Sequence, residues 1–185
     1  LKQNNYNIIT FEQLSNARNI KNPIIITFDD GYEDNYTNAY PILKKYGFKA
    51  TIFLCTEFID KPRYLKKEQI TEMKDLVSFQ SHTVTHPFLT RLESKQVEFE
   101  LSESKKIIES LTGGEVDVLA YPIGDYNDRV IQIAKKYYRY AVLNISGIYK
   151  EGDNSYEIRR VYIPRGLSME AFKNIICENT TANAQ

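Results

Sequence analysis

Ile24-Ile25-Ile26-Thr27-Phe28-Asp29-Asp30-Gly31-Tyr32 is the stretch on which the fold turns. Five β-branched or aromatic residues run without polar alternation, as in a strand buried on both faces of a parallel sheet. The run then stops on two carboxylates and a glycine. Downstream, Asn35 to Tyr46 reads as a helix with Gly47 as its stop, and Ala50 to Leu54 as the next strand. Helix Lys66 to Asp75 and strand Val77 to Gln80 follow. Glu93 to Leu111 has apolar residues at helical spacing (Val97, Leu101, Ile107, Ile108, Leu111) and closes on Gly113-Gly114. Strand Val116 to Tyr121, helix Asp128 to Tyr138, strands Tyr140 to Ile145 and Glu157 to Ile163, and helix Met169 to Cys177 complete the series. Upstream, Thr10-Phe11-Glu12-Gln13 resembles a capping box that opens a short helix. Strands alternating with helices imply right-handed crossovers and an α/β fold with a parallel sheet. An open doubly wound sheet and an incomplete barrel both fit this order.

Composition narrows the function. The chain has 185 residues, 42% hydrophobic and 26% charged, which suits one domain with a real core. Lys plus Arg and Asp plus Glu are both 24. A chain without basic excess lacks the electrostatic footprint of a nucleic-acid binder, so no nucleic-acid partner is expected. No apolar run reaches membrane-spanning length. Cys55 and Cys177 are far apart, as two buried thiols rather than a disulfide frame or a zinc site. The chain opens on Leu1 with no leader-like segment, so a leader is removed or the chain belongs to a longer protein. Thr180 to Gln185 is small and polar and reads as a flexible tail after a single domain over residues 1–179. The oligomeric state is not legible.

The polar clusters follow strands. Asp29-Asp30-Gly31-Tyr32 comes first, then Ser81-His82-Thr83-Val84-Thr85-His86, then Tyr121-Pro122-Ile123-Gly124-Asp125-Tyr126. Parallel α/β folds place their active sites at the C-terminal ends of strands. Adjacent carboxylates repel unless a cation neutralises one of them. His82 and His86, the chain's only histidines, are four apart, so one helical turn would put both rings on one face. One carboxylate and two imidazoles suit a catalytic zinc with an open position, and also non-haem iron(II). Each cluster alone has a plain structural reading: a turn for Asp-Asp-Gly, a solvated helix face for the two histidines, a turn for Tyr-Pro-Ile-Gly. Their common position after strands favours a site.

These three clusters resemble the three motifs of the polysaccharide deacetylase family, carbohydrate esterase family 4, and the similarity runs from about Ile8 to Ile176. The resemblance implies a distorted (β/α)7 barrel with parallel strands and an active site at their C-terminal ends. It implies hydrolytic removal of acetyl groups from an N-acetylglucosamine-containing polysaccharide. Asp30, His82 and His86 would bind the metal, usually Zn2+, with other divalent transition metals possible. Asp29 would be the general base, and the Ile123 backbone N–H would help hold the oxyanion. Tyr32, Tyr121 and Tyr126 would line the sugar site, with Pro122 and Gly124 shaping the turn. An extracellular or cell-surface location follows from that substrate class.

The chain departs from the family pattern in three places. Ala120 stands where an arginine often precedes the third motif; Arg160 is the preferred replacement over Arg165 as partner of the base. The family's tryptophan motif is missing, since the chain has no Trp. No third histidine is present to act as general acid. A circularly permuted branch, which includes deacetylases of poly-β-1,6-N-acetylglucosamine, keeps that histidine upstream of the first aspartate motif. The alternatives are an acid histidine upstream of Leu1, or a metal-keeping carbohydrate-binding relative with weak or no catalysis. An iron(II) oxygenase is disfavoured, because such triads place the carboxylate near the first histidine.

Overall fold

The computed structural model describes residues 1–181, with side chains described through Ile176. Strands β1 (Asn7–Ile8) and β2 (Pro23–Ile24) pair in parallel. Strands β3 (Thr27–Phe28), β4 (Ala50–Leu54), β5 (Val77–Ser81), β6 (Val118–Ala120) and β7 (Tyr140–Val142) form a parallel sheet in that order. Since β2 leads straight into β3, the two ladders make one curled, half-barrel surface. Ile158 adds a seventh strand position through a parallel bridge to Val142. No ladder joins β1 to Ile158 among the described residues, so the barrel is distorted and open.

The helices are α1 (Tyr40–Tyr46), α2 (Lys67–Met73), α3 (Ser94–Thr112), α4 (Asp128–Ala134) and α5 (Met169–Thr181). Strand alternation sorts two cores. Ile52, Leu54, Phe79, Leu119 and Tyr121 face the helices, against Ile70, Val97, Leu101, Ile108 and Val130. Phe53, Val118, Ala120, Tyr140, Val142 and Ile158 face the barrel interior. Phe11 plugs that interior, its ring 6.1 Å from Phe53 and 6.3 Å from Tyr140. It sits on a 3-10 helix (Phe11–Asn19) whose start is fixed by the Thr10 N–H donating to Gln13 Oε1.

The structure corrects several expected elements. The strand expected over Ile24–Phe28 breaks between β2 and β3, and its residues are half-buried rather than enclosed, because β3 lies at the edge of its sheet. The expected Asn35–Tyr46 helix begins as a π-helix over Asn35–Ala39. Pro41 has no N–H for the i→i−4 ladder, which disfavours a regular α-turn there. The strand expected over Glu157–Ile163 shrinks to the Ile158 bridge, since Arg160 turns its guanidinium inward to bond Leu143 O, Thr27 and Asp29. Helix α4 stops at Ala134 rather than Tyr138. Cys55 is buried and its thiol donates to Val84 O at 3.0 Å. The Cys177 side chain, and the tail reading from Ala182 on, lie outside the described residues.

Candidate active site

The polar clusters leave the C-terminal ends of β3, β5 and β6; the first two converge in Asp30, His82 and His86, and the last residue of β6, Ala120, bonds the His82 ring. Asp30 Oδ1 lies 3.4 Å from His82 Nε2 and 3.5 Å from His86 Nε2. The three donor atoms fall within 4.8 Å of one another. Ligands about 2.0–2.1 Å from one tetrahedral zinc stand about 3.3–3.4 Å apart, so the Asp30 edges have the required length. The His82 Nδ1 atom is 2.7 Å from Ala120 O, a carbonyl that can only accept. The proton therefore sits on Nδ1, and in the neutral ring Nε2 aims a lone pair at the carboxylate. Two such electron-rich atoms face each other favourably only across a cation, which is the outer-sphere arrangement of metal-bound histidines.

Charge supports this set. Burial disfavours the ionised Asp30; without a metal, bonding and attraction from a protonated His82, then from His86 and the Tyr32 hydroxyl, outweigh it and hold the carboxyl below its usual value. Burial and the neighbouring His82 push the His86 imidazole down, against Asp30. The neutral ring is the form that ligates.

Asp29, the neighbour of Asp30, is paired with Arg160. Arg160 donates from Nη1 to Oδ1 and from Nη2 to Oδ2, both at 2.7 Å. Its Nε donates to Leu143 O at 3.0 Å, and its guanidinium carbon sits 5.5 Å from the centre of the Phe53 ring. The base candidate and its partner are thus locked by the sheet edge and the barrel interior together.

The backbone at the mouth is strained. Asp30, Thr83, His86 and Ile123 have φ of 69°, 69°, 60° and 60°. Such conformations cost on the order of 1–3 kcal/mol each and gather at functional sites. Thr83 and Ile123 are β-branched, the least tolerant class. The φ of 73° at Gly31 favours glycine, since a side chain there would be strained and its Cβ, 2.6 Å from Leu54 Cδ2, would push that buried side chain aside.

The helical-turn reading of His82 and His86 is wrong. They sit on an irregular loop after β5, and their rings meet edge to face at 4.8 Å because Thr83 and His86 turn left-handed. Tyr121 is also corrected. It is 1% exposed, packs against the helices and stacks on Tyr126 at 5.2 Å, so it cannot touch a sugar here. Burial pushes its hydroxyl up, and that hydroxyl has no hydrogen-bond partner among the described residues. Pro122 is buried, whereas Ile123 is exposed. Tyr126 is half-buried and its hydroxyl donates to Glu157 at 3.0 Å. Tyr32 is exposed beside Asp30 and stacks on Tyr64 at 5.0 Å, its hydroxyl pushed up to about 12 by burial and Asp30.

Two carboxylates were given no role from the sequence: Asp125, quoted only as part of the third cluster, and Glu100. Asp125 accepts from the Thr90 N–H at 2.7 Å and the Thr90 hydroxyl at 2.9 Å, tying the third cluster to the turn after His86. Glu100 is buried on α3 and accepts from Val84 and Thr85. Its signal was present: Glu100 occupies the apolar stripe of Val97, Leu101, Ser104 and Ile108, where a charge needs partners.

A parallel half-barrel with its polar groups gathered at the strand ends has the layout of the α/β-barrel enzyme folds. Residues 16–142 match the sequence model of the family described as polysaccharide deacetylase, and the chain belongs to that family. The YxkH protein of Bacillus subtilis (strain 168) is 38% identical over 151 residues, 80% of this chain and 54% of that protein. A poly-β-1,6-N-acetyl-D-glucosamine N-deacetylase of Staphylococcus epidermidis is 32% identical over 176 residues, 85% of this chain and 59% of that protein. The solved structure of the Streptococcus pyogenes deacetylase PplD in complex with acetate superposes with a TM-score of 0.88 at 32% identity, covering 95% of this chain and 81% of that one. The chain spans about half the length of the curated relatives it matches.

Proposed function

We propose that the chain removes acetyl groups hydrolytically from an N-acetylglucosamine-containing polysaccharide at the cell surface. Asp30, His82 and His86 would hold a divalent transition metal, zinc first. The observation that carries this reading is the Asp30–His82–His86 cluster set beside an Asp29 gripped by Arg160. The staphylococcal relative, named for acting on poly-β-1,6-N-acetyl-D-glucosamine, supports the substrate class, and the substrate class supports the location.

When bound, the metal would polarise an acetyl carbonyl and acidify water. Asp29 takes the proton of the attacking water on a carboxylate oxygen. Arg160 fixes the plane of that carboxylate through both of its oxygens. The Ile123 N–H donates to the oxygen that gains charge, aimed by the strained Pro122–Gly124 turn. Tyr32 offers an aromatic face with a polar tip to the sugar. As the C–N bond breaks, the leaving nitrogen takes up the proton that Asp29 received, giving acetate and a free amine. The test is acetate release from poly-β-1,6-N-acetylglucosamine oligomers, compared with Asp29→Asn. Retained release in that variant refutes the assignment.

A second reading has one observation behind it. Both histidines are in the metal cluster, and the 185 residues hold no third to protonate the leaving amine. A relative that keeps the metal and binds the polysaccharide with weak or no turnover would bind oligomers without releasing acetate.

A further inference from the structure

We infer that Glu100 is the positioning residue of the histidine loop: it holds His86 in place for the metal without touching either imidazole. This rests on the proposed metal site and deepens it. Glu100 lies in the second turn of α3 and is 6% exposed. Its Oε2 accepts from the Val84 N–H at 2.8 Å and the Thr85 N–H at 2.9 Å, and its Oε1 accepts from the Thr85 hydroxyl at 2.7 Å. All three donors lie between His82 and His86.

The loop is held from its other side as well. Thr56 N–H donates to Thr83 O at 3.1 Å and Glu57 N–H to Val84 O at 2.9 Å, while the Cys55 thiol shares the Val84 carbonyl. Carbonyls are thus held by the segment after β4, and N–H groups by Glu100. Between these two grips the chain passes through left-handed Thr83 and reaches left-handed His86. Two strained residues in one five-residue loop need restraint on both sides, because either alone would let the loop relax. His86 depends on this most. His82 has its own anchor in Ala120 O and is 3% exposed. The His86 ring is one-quarter exposed, and among the described residues its backbone N–H bonds within the loop, to Thr83 Oγ1 at 3.1 Å.

A carboxylate suits this task because it only accepts. Two adjacent backbone N–H groups can share one oxygen while the second takes the hydroxyl. A glutamine of the same size keeps one accepting oxygen and turns an NH2 toward the remaining donor. Outer-shell partners of metal ligands typically change metal affinity by about 10- to 100-fold when altered.

The experiment measures zinc affinity of the full chain by competition with a chromogenic chelator, beside the melting curve of the metal-free form. Glu100→Gln should fold and bind zinc about 10- to 100-fold more weakly. Thr85→Val, which removes one bond at constant size, should lose less. Leu101→Ala, which weakens the same helix without loosening the loop, should lower the melting temperature and keep wild-type affinity. Glu100→Gln with wild-type affinity overturns the proposal, as does an equal loss in Leu101→Ala. Should Glu100→Gln fail to fold, wild-type affinity in Thr85→Val overturns it. A wild-type chain that takes up no zinc overturns the metal reading itself, and this inference with it.

Discussion

Arg160 closes on Asp29 with both arms of its guanidinium, two bonds of 2.7 Å spanning 131 residues of chain. The fork fixes the carboxylate's plane as well as its position, which a single-point ammonium cannot do. Arg160→Lys should therefore lower kcat for acetate release about 100-fold, the scale of a small misplacement of a reacting group. Metal content should stay at the wild-type level. Steady-state kinetics and elemental analysis of the same preparation check both halves.

Metal removal should act on both activity and stability. Chelation should abolish acetate release, and zinc should restore it. At free zinc of 100 times Kd the folded chain gains about 2.7 kcal/mol, seen as a higher melting temperature. Asp30→Ala and His86→Ala should lose the zinc and the shift, because each removes one of three donors. Elemental analysis and melting with and without zinc are the measurements.

Cys55 should be inert to alkylation in the folded chain. Burial pushes its thiol up to about 12, and it donates to Val84 O. At pH 8 the reactive thiolate is then about one part in ten thousand, far below a free cysteine. In a Cys177→Ser background, iodoacetamide should label Cys55 only after denaturant is added. Rapid labelling of the native form, read by mass spectrometry, would contradict this.

Asp117 should carry a pH-dependent penalty. Burial, then the neighbouring Glu115, raises its carboxyl above the ordinary value, against Arg139. The folded chain therefore holds that proton more tightly than the unfolded chain. Asp117's contribution to stability is full below the unfolded value of 3.8 and is lost as pH rises through the raised folded value. Asp117→Asn should raise the urea midpoint at pH 7 more than at pH 4, seen in unfolding curves at the two pH values.

The site was largely legible because its chemistry is local. Asp29-Asp30 and the two histidines announce themselves within six-residue stretches, and strand order brings those stretches to one rim. Arg160 was reached only by looking for a replacement cation for Ala120. What failed was orientation. The spacing of His82 and His86 suggested a helix, but the loop reaches the same convergence through Thr83 at φ 69° and His86 at φ 60°. Tyr121 sits in a motif yet follows Leu119 by two, so strand alternation sends both side chains to the helices. Glu100 was legible as a charge within the buried stripe of α3, but its partners, two backbone N–H groups and the Thr85 hydroxyl of a distant loop, were not.

The left-handed residues at the barrel mouth set evolution and engineering against each other. Glycine at Thr83 or Ile123 would release conformational energy that the native side chains store there. A library of this chain selected only for heat resistance should therefore drift toward glycine at these positions. Its most durable members would be the ones whose catalytic rim has gone slack.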